Sequence, residues 1–220
     1  MQQLVLSFPR KTSFEVEDYM PFTSHGSALA LLAQMAQTGG MGYVYGPEGT
    51  GKSHFLHVAA GRLGLPYYTP ATLPADPTRL SEAVIDDVHA LDAVRQQAVF
   101  HLFNRLKEEG GVLLLGAAVP AASLTLLPDL TSRLRTLTQV EIPLPEEADL
   151  NILLAKLAYD RQLLIEPAVG KYLMTRAERS PVVIEGVLDR LDTLSLARKK
   201  GITIPMVRQV LDGAEATSCA

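Results

Sequence analysis

The chain has 220 residues, 47% of them apolar and 20% charged, a composition that excludes a disordered or low-complexity polypeptide because enough apolar surface is present to offset ordering entropy. With 20 Lys and Arg against 24 Asp and Glu the net charge is -4, so a diffuse grip on nucleic-acid phosphates is not expected, and DNA would be met only indirectly through a partner. The one cysteine, Cys219, excludes an internal disulfide and a cysteine-based zinc site and suits a reducing cytoplasm.

Taken in chain order, residues 1–11 read as an N-terminal arm, extended, with Leu4, Leu6 and Phe8 on one side and the amide of Gln3 beside them. The same six-residue run is also compatible with an ordinary amphipathic edge strand. A helix is predicted over Ser27 to Gln37, then a strand over Gly42 to Tyr45, a helix over His54 to Leu63 and strands at Pro66 to Tyr68 and Ala83 to Ile85. A helix over Arg95 to Glu108 and strands at Val112 to Leu115 and Gln139 to Ile142 complete the alternation. Strands alternating with helices imply an α/β domain, a parallel sheet covered on both faces, here spanning 12–144. Beyond Pro143 and Pro145 the strand signals cease. Helical stretches follow at Glu146 to Leu164, Pro167 to Arg176, Pro181 to Lys200 and Pro205 to Leu211, three of them opening at or near the proline favoured in a first helical turn, so 145–220 is predicted to be an all-helical domain. The uncharged stretches 26–47 and 110–128 are each broken by turn or polar residues and do not read as membrane spans. The start, Met1 to Arg10, lacks the pattern of a secretory signal. A cytoplasmic location and no membrane partner are therefore expected.

The sharpest motif is Gly46-Pro47-Glu48-Gly49-Thr50-Gly51-Lys52-Ser53, the G-x-x-x-x-G-K-[ST] pattern of a P-loop, or Walker A sequence, between a strand and a helix. Glycines let backbone N–H groups wrap phosphates, Lys52 reaches the β and γ oxygens, and the Ser53 hydroxyl is placed to ligate Mg²⁺. His54 adjoins the motif and is counted with it. Such a site needs a carboxylate on a neighbouring strand, and Ala83-Val84-Ile85-Asp86-Asp87 supplies it: Asp86 as the magnesium partner, Asp87 to orient or deprotonate an attacking water. His54 and His57, and His89 after Asp87, lack the companions of a zinc site.

At Ile85-Asp86-Asp87-Val88-His89-Ala90-Leu91 the sequence resembles the AAA+ ATPases, and within them the DnaA initiator family. The resemblance continues through Val112 to Gly116 with Pro120, through Leu127 to Leu134, and ends at Ile202 to Pro205. It implies an AAA+ fold, a P-loop parallel sheet with helices on both faces followed by a C-terminal all-helical lid. DnaA continues into a helix-turn-helix domain, whereas this sequence ends after the lid, as does the DnaA-related regulator Hda, so the resemblance implies an Hda-like regulator of replication initiation. Gln3 to Phe8 then resembles the peptide by which Hda docks on the DNA polymerase sliding clamp. Arg133 matches the arginine-finger position, with Arg135 its rival, and would act in trans on ATP bound to the DnaA initiator. Tyr19 and Met20 lie in the segment that lines the adenine in this family.

Two departures stand out. Ala117 and Ala118 occupy the position of the polar sensor on the fourth strand, and Val182 stands where the lid normally carries a sensor Arg; Arg179 lies three residues earlier. Losing both polar groups removes transition-state stabilisation and leaves the phosphate cradle, so binding of ATP or ADP with Mg²⁺ and weak intrinsic hydrolysis are expected, with activation of ATP hydrolysis in trans. Two other readings stay open: a helicase-loader or clamp-loader type AAA+ ATPase, and a non-catalytic adaptor holding ADP as a structural cofactor. A nucleotide-dependent homodimer is compatible with the first.

Overall fold

In the computed structural model, residues 22–218 are described; they fall into an α/β unit ending at Leu144 and a helical unit beginning at Pro145. The α/β unit opens with α1 (Gly26–Thr38), whose Ala, Leu, Gln and Met residues favour a helix and whose Ala28, Leu31, Leu32 and Met35 recur at three- and four-residue spacing on one buried face. Gly39 ends it at a positive φ of 66°, its N–H donating to the Met35 carbonyl. There follow β1 (Met41–Tyr45), α2 (Lys52–Leu63), β2 (Tyr67–Tyr68), β3 (Ala83–Ile85), α3 (Ala93–Glu109), β4 (Leu113–Ala117), α4 (Pro128–Leu134) and β5 (Thr138–Glu141). Asp92 caps α3 by accepting the Arg95 N–H.

The five strands are all parallel in the order β2-β3-β4-β1-β5. Alternation of side chains assigns Val44, Val84, Leu114 and Val140 to one face, packed with Leu31, Leu32, Phe55, Leu56 and Ala59 of α1 and α2. The other face carries Tyr43, Ile85, Leu113, Leu115 and Ala117, packed with Leu102, Phe103 and Leu106 of α3 and Leu130 and Leu134 of α4. Every residue of β4 is buried, which is why its sequence runs as continuous apolar residues without alternation. Arg105 of α3 donates to the carbonyls of Thr78 (2.8 Å) and Leu80, fixing the segment that leads into β3.

The second unit comprises α5 (Glu147–Asp160), α6 (Pro167–Arg176), α7 (Pro181–Arg198) and α8 (Ile204–Ser218). Leu150, Leu154, Leu173, Leu188, Leu191 and Val207 form its core. The Arg161 guanidinium, nearly buried, joins the end of α5 to α7 through Asp189 (2.8 Å) and Glu185 (3.3 Å).

Element boundaries depart from expectation for local reasons. The helix predicted from His54 begins at Lys52, inside the motif, and β4 extends two residues beyond Leu115 to Ala117. The helix predicted over Glu146 to Leu164 spans Glu147–Asp160, because the chain turns at Gln162, whose φ is 55°. Helix α4 has only Leu130 and Leu134 as buried residues, too few for a periodicity to mark it as an element. No described helix is long and apolar enough to cross a membrane.

Phe103 is fully buried between α3 and the sheet. Phe103→Ala should lower the unfolding free energy of the full chain by about 3–5 kcal/mol. Urea denaturation followed by far-UV circular dichroism measures this directly; a loss below about 1 kcal/mol would mean the site collapses or is already wet.

Candidate phosphate site

The strand β1 ends at Tyr45 and the chain turns through 46–51 into α2. Gly46 donates its N–H to the Ala117 carbonyl (3.2 Å). A Cβ on Gly46 would lie 2.1 Å from the Ile142 carbonyl oxygen, so only glycine permits this approach of two backbones. Gly49 and Gly51 take φ of 79° and 82°, the left-handed region that turns the loop onto the helix start. The buried Thr50 closes the loop by donating its hydroxyl to the Pro47 carbonyl (3.0 Å). The first N–H groups of a helix have no acceptor within it and carry the positive end of its dipole, and here they adjoin a glycine-rich loop. Such an arrangement can cradle an anion.

Lys52 is 7% exposed and Asp86 fully buried, and they meet directly: Nζ lies 2.9 Å from Asp86 Oδ1 and 3.3 Å from Asp87 Oδ1. Asp86 Oδ1 also accepts the Asp87 N–H (2.7 Å), and Oδ2 accepts the Tyr67 hydroxyl (3.0 Å). The Ser53 hydroxyl hydrogen-bonds the same carboxylate. Burial is the largest single influence on Asp86 and pushes its carboxyl upward, yet Lys52, the Ser53 hydroxyl and the Asp87 N–H together outweigh it and hold the group below the usual carboxylate range. Asp86 is therefore an anion in the folded protein.

Asp87 sits at φ 50°, ψ 41°, a left-handed conformation that costs a side-chain-bearing residue roughly 1–2 kcal/mol. Its carbonyl accepts the Ala90 N–H (2.8 Å) in the single helical turn that follows, which helps to hold that conformation. In this conformation its half-exposed carboxylate lies 3.3 Å from Lys52 Nζ.

Two contributors carry no motif signal. Tyr67, on the edge strand β2, bonds Asp86, and the combined effect of burial and the neighbouring carboxylates raises its phenol far above the ordinary value. Gly116, on β4 beside Asp86, leaves the room the carboxylate occupies: a Cβ there would lie 2.6 Å from Asp86 Oδ1 and 2.3 Å from Leu56 Cδ1. Only the parallel register of β3 with β4, Ile85 opposite Leu115, reveals this proximity.

The other candidate residues are placed as follows. Pro47 and Glu48 are exposed on the loop, and His54 is half-buried in the first turn of α2. Arg133 is exposed on α4 with its guanidinium 6.0 Å over the Phe100 ring, and Arg135 follows the same helix. Ala117 is buried on the sheet face packed by α3 and α4, and the Ala118 N–H donates to His89 Nδ1 (3.4 Å). In the helical unit Val182 is 69% exposed, and Arg179 pairs with Glu147 (3.2 Å). Gln3, Leu4, Leu6, Phe8, Tyr19 and Met20 lie outside the described residues. Among the described residues no three His, Cys, Asp or Glu side chains gather as a metal-holding cluster.

Residues 146–211 match the family described as the lid domain of Hda. The whole architecture is similar to domain III of the replication initiation protein DnaA from Thermotoga maritima, with a TM-score of 0.81 at 16% identity over 94% of this chain and 98% of that one. The chain thus has the fold of that domain, with a lid of the Hda family over residues 146–211. A replication initiator DnaA bound to AMPPCP and single-stranded DNA matches with a TM-score of 0.71 at 18% identity, over 93% of this chain and 68% of that one. A point variant of RuvB from Thermotoga maritima matches at 0.72 and 16% identity over 91% and 72%. At these identities the structural likenesses carry the AAA+ fold alone, and the lid match carries the relation to Hda.

Because the Asp86 pKa is depressed in the folded protein, its contribution to stability is complete above the unfolded value near 4 and is lost as pH falls through the lower folded value. Urea midpoints measured from pH 5 down to pH 3 should therefore fall more steeply for the wild type than for Asp86→Asn, which is less stable at pH 7. Parallel slopes would show that Asp86 is not a low-pKa anion.

Proposed function

We propose that this chain is an Hda-like regulator of replication initiation that binds adenine nucleotide, docks on the DNA polymerase sliding clamp and promotes hydrolysis of ATP bound to the DnaA initiator. The observation that carries the reading is the coincidence, in one AAA+ chain, of an Hda-type lid with a P-loop lysine held against two adjacent aspartates.

The glycine-built loop, the N–H groups at the start of α2 and a buried lysine fit a polyphosphate, and Ser53 with Asp86 fits Mg²⁺ through two hard oxygen donors already bonded to each other. Gly46 to Ser53, with His54 beside them, would hold the phosphates, and Ser53 and Asp86 the cation; Tyr19 and Met20 are proposed to flank the adenine. When bound, the nucleotide with its Mg²⁺ supplies a phosphoanhydride and a charge cluster that ties loop, helix and β3 together. Lys52 Nζ would then meet phosphate oxygens in place of its carboxylate partners. Asp87, partly exposed and adjacent, is the group able to accept a proton from water at its carboxylate.

Intrinsic hydrolysis is expected to be weak because the end of β4 carries Ala117 and Ala118, and Val182 brings no charge in the lid. The productive partner is then the initiator's ATP. Arg133, exposed on a short helix and resting on an aromatic ring, is a guanidinium available to another molecule's phosphates, and it is the proposed finger acting in trans. Gln3, Leu4, Leu6 and Phe8 are proposed as the clamp-binding arm, in the cytoplasm. The same alanines and Val182 favour a second reading, an adaptor that keeps ADP as a structural cofactor.

Phosphate release from DnaA-ATP, measured with clamp-loaded DNA and this protein, should drop by about 10³-fold or more with Arg133→Ala. Equal rates for wild type and variant would remove Arg133 as the finger, and no stimulation by the wild type would overturn the regulator reading. In a clamp pull-down, Leu6→Ala with Phe8→Ala should abolish retention; unchanged binding would rule out the arm.

A further inference from the structure

We infer that Tyr67 is a positioning residue for the cation site, a hydroxyl that fixes the plane of the Asp86 carboxylate so that its free lone pairs point where Mg²⁺ is required. The inference rests on the reading of Asp86 as the magnesium partner and adds a residue that no P-loop or second-acid pattern contains.

The geometry is one of opposed bonds. Asp86 Oδ1 is held by the Asp87 N–H at 2.7 Å and by Lys52 at 2.9 Å, and Oδ2 by the Tyr67 hydroxyl at 3.0 Å. The terminal torsion of an aspartate is broad and roughly two-fold, so a carboxylate held at one oxygen still rocks about its Cβ–Cγ bond. A donor on each oxygen stops that rocking. Were Lys52 to turn to phosphate, the Asp87 N–H would remain on Oδ1 and the Tyr67 hydroxyl on Oδ2, beside the Ser53 hydroxyl that also bonds this carboxylate.

Tyr67 is itself built in. It lies on β2 opposite Val84, one residue pair before Asp86 on the same sheet face, so the register of two short strands sets the reach of its hydroxyl. Its ring is stacked on the His57 imidazole, centroids 3.6 Å apart and planes at 23°. His57 stands one helical turn beyond Ser53 on α2. The two groups bearing on the cation, Ser53 and Asp86, are thereby linked a second time through His57 and Tyr67. Partners of this kind, behind a ligating carboxylate, typically change metal affinity by 10–100-fold when removed.

Tyr67→Phe removes one oxygen and keeps the ring on His57. Calorimetric titration of the full chain with ADP in EDTA should give the same affinity for wild type and variant, whereas the Mg²⁺ concentration at half-effect should rise about tenfold or more in the variant. Electron paramagnetic resonance with Mn²⁺ and ADP reads the same shift as weaker ion retention. His57→Ala, which frees the ring, should move the Mg²⁺ midpoint in the same direction by less. Superimposed Mg²⁺ curves for wild type and Tyr67→Phe would overturn the positioning role, as would an equal loss of ADP affinity with and without Mg²⁺, the mark of a general structural effect. A wild type that binds ADP without any response to Mg²⁺ would instead overturn Asp86 as the cation partner, and one that binds no nucleotide would overturn the proposed function itself.

Discussion

The contact of Lys52 with Asp86 is the interaction on which the chemistry proposed for the α/β unit depends. A nearly buried ammonium and a fully buried carboxylate are each costly to remove from water, and breaking such a pair by deleting one partner typically costs about 3–5 kcal/mol. The fold accepts this cost at the junction of β1, α2 and β3. What makes it sustainable is the donor set around Asp86, namely the Asp87 N–H, the Ser53 hydroxyl and the Tyr67 hydroxyl, which keeps the carboxylate satisfied whichever way the lysine turns. The arrangement is a store of hydrogen-bonding capacity with a movable cation. In the proposed function this would suit the capture of a polyanion, because the lysine would exchange one negative partner for another rather than pass through an unpaired state.

Around that junction the backbone is shaped by exclusion. Gly46 admits the Ile142 carbonyl, Gly116 admits the Asp86 carboxylate, and Asp87 is held in the left-handed region beside them. Each departs from what a packed parallel strand would otherwise prefer, and they cluster within one end of the sheet. Ligand sites in open parallel sheets lie beyond the carboxyl ends of the strands, where loops diverge, and these departures fall at that end. The rest of the sheet is ordinary: two apolar faces, two layers of helix and a central strand with no exposed residue.

How much of this was readable beforehand depended on range. The alternation of strands and helices, and the proline-led helices after residue 145, followed from local periodicity and punctuation. Lys52 and Asp86 were recognisable as a pair because each lies in a pattern whose chemistry requires the other. Tyr67 and Gly116 were not, since nothing local distinguishes them from an edge-strand aromatic and a strand glycine; their roles come from the registers of β2 with β3 and of β3 with β4, which are tertiary facts. Helix α4 escaped for a different reason: its seven residues, with Pro128 in the first turn, hold fewer than two turns of pattern. The sensor positions illustrate the converse. Ala117 could be aligned by sequence, but only the sheet shows that its side chain faces α3 and α4.

The division of labour proposed for this protein is that it grips a nucleotide firmly and leaves fast hydrolysis to a partner's site. Both parts need the P-loop to bind. Thermal unfolding of the full chain with and without saturating ADP and Mg²⁺ tests this most directly. At a hundredfold excess over Kd the wild type should melt about 5 °C or more higher, and Lys52→Ala, lower-melting to begin with, should gain nothing. A wild type whose melting is unmoved by both ADP and ATP, or a Lys52→Ala variant shifted as much as the wild type, would contradict the account.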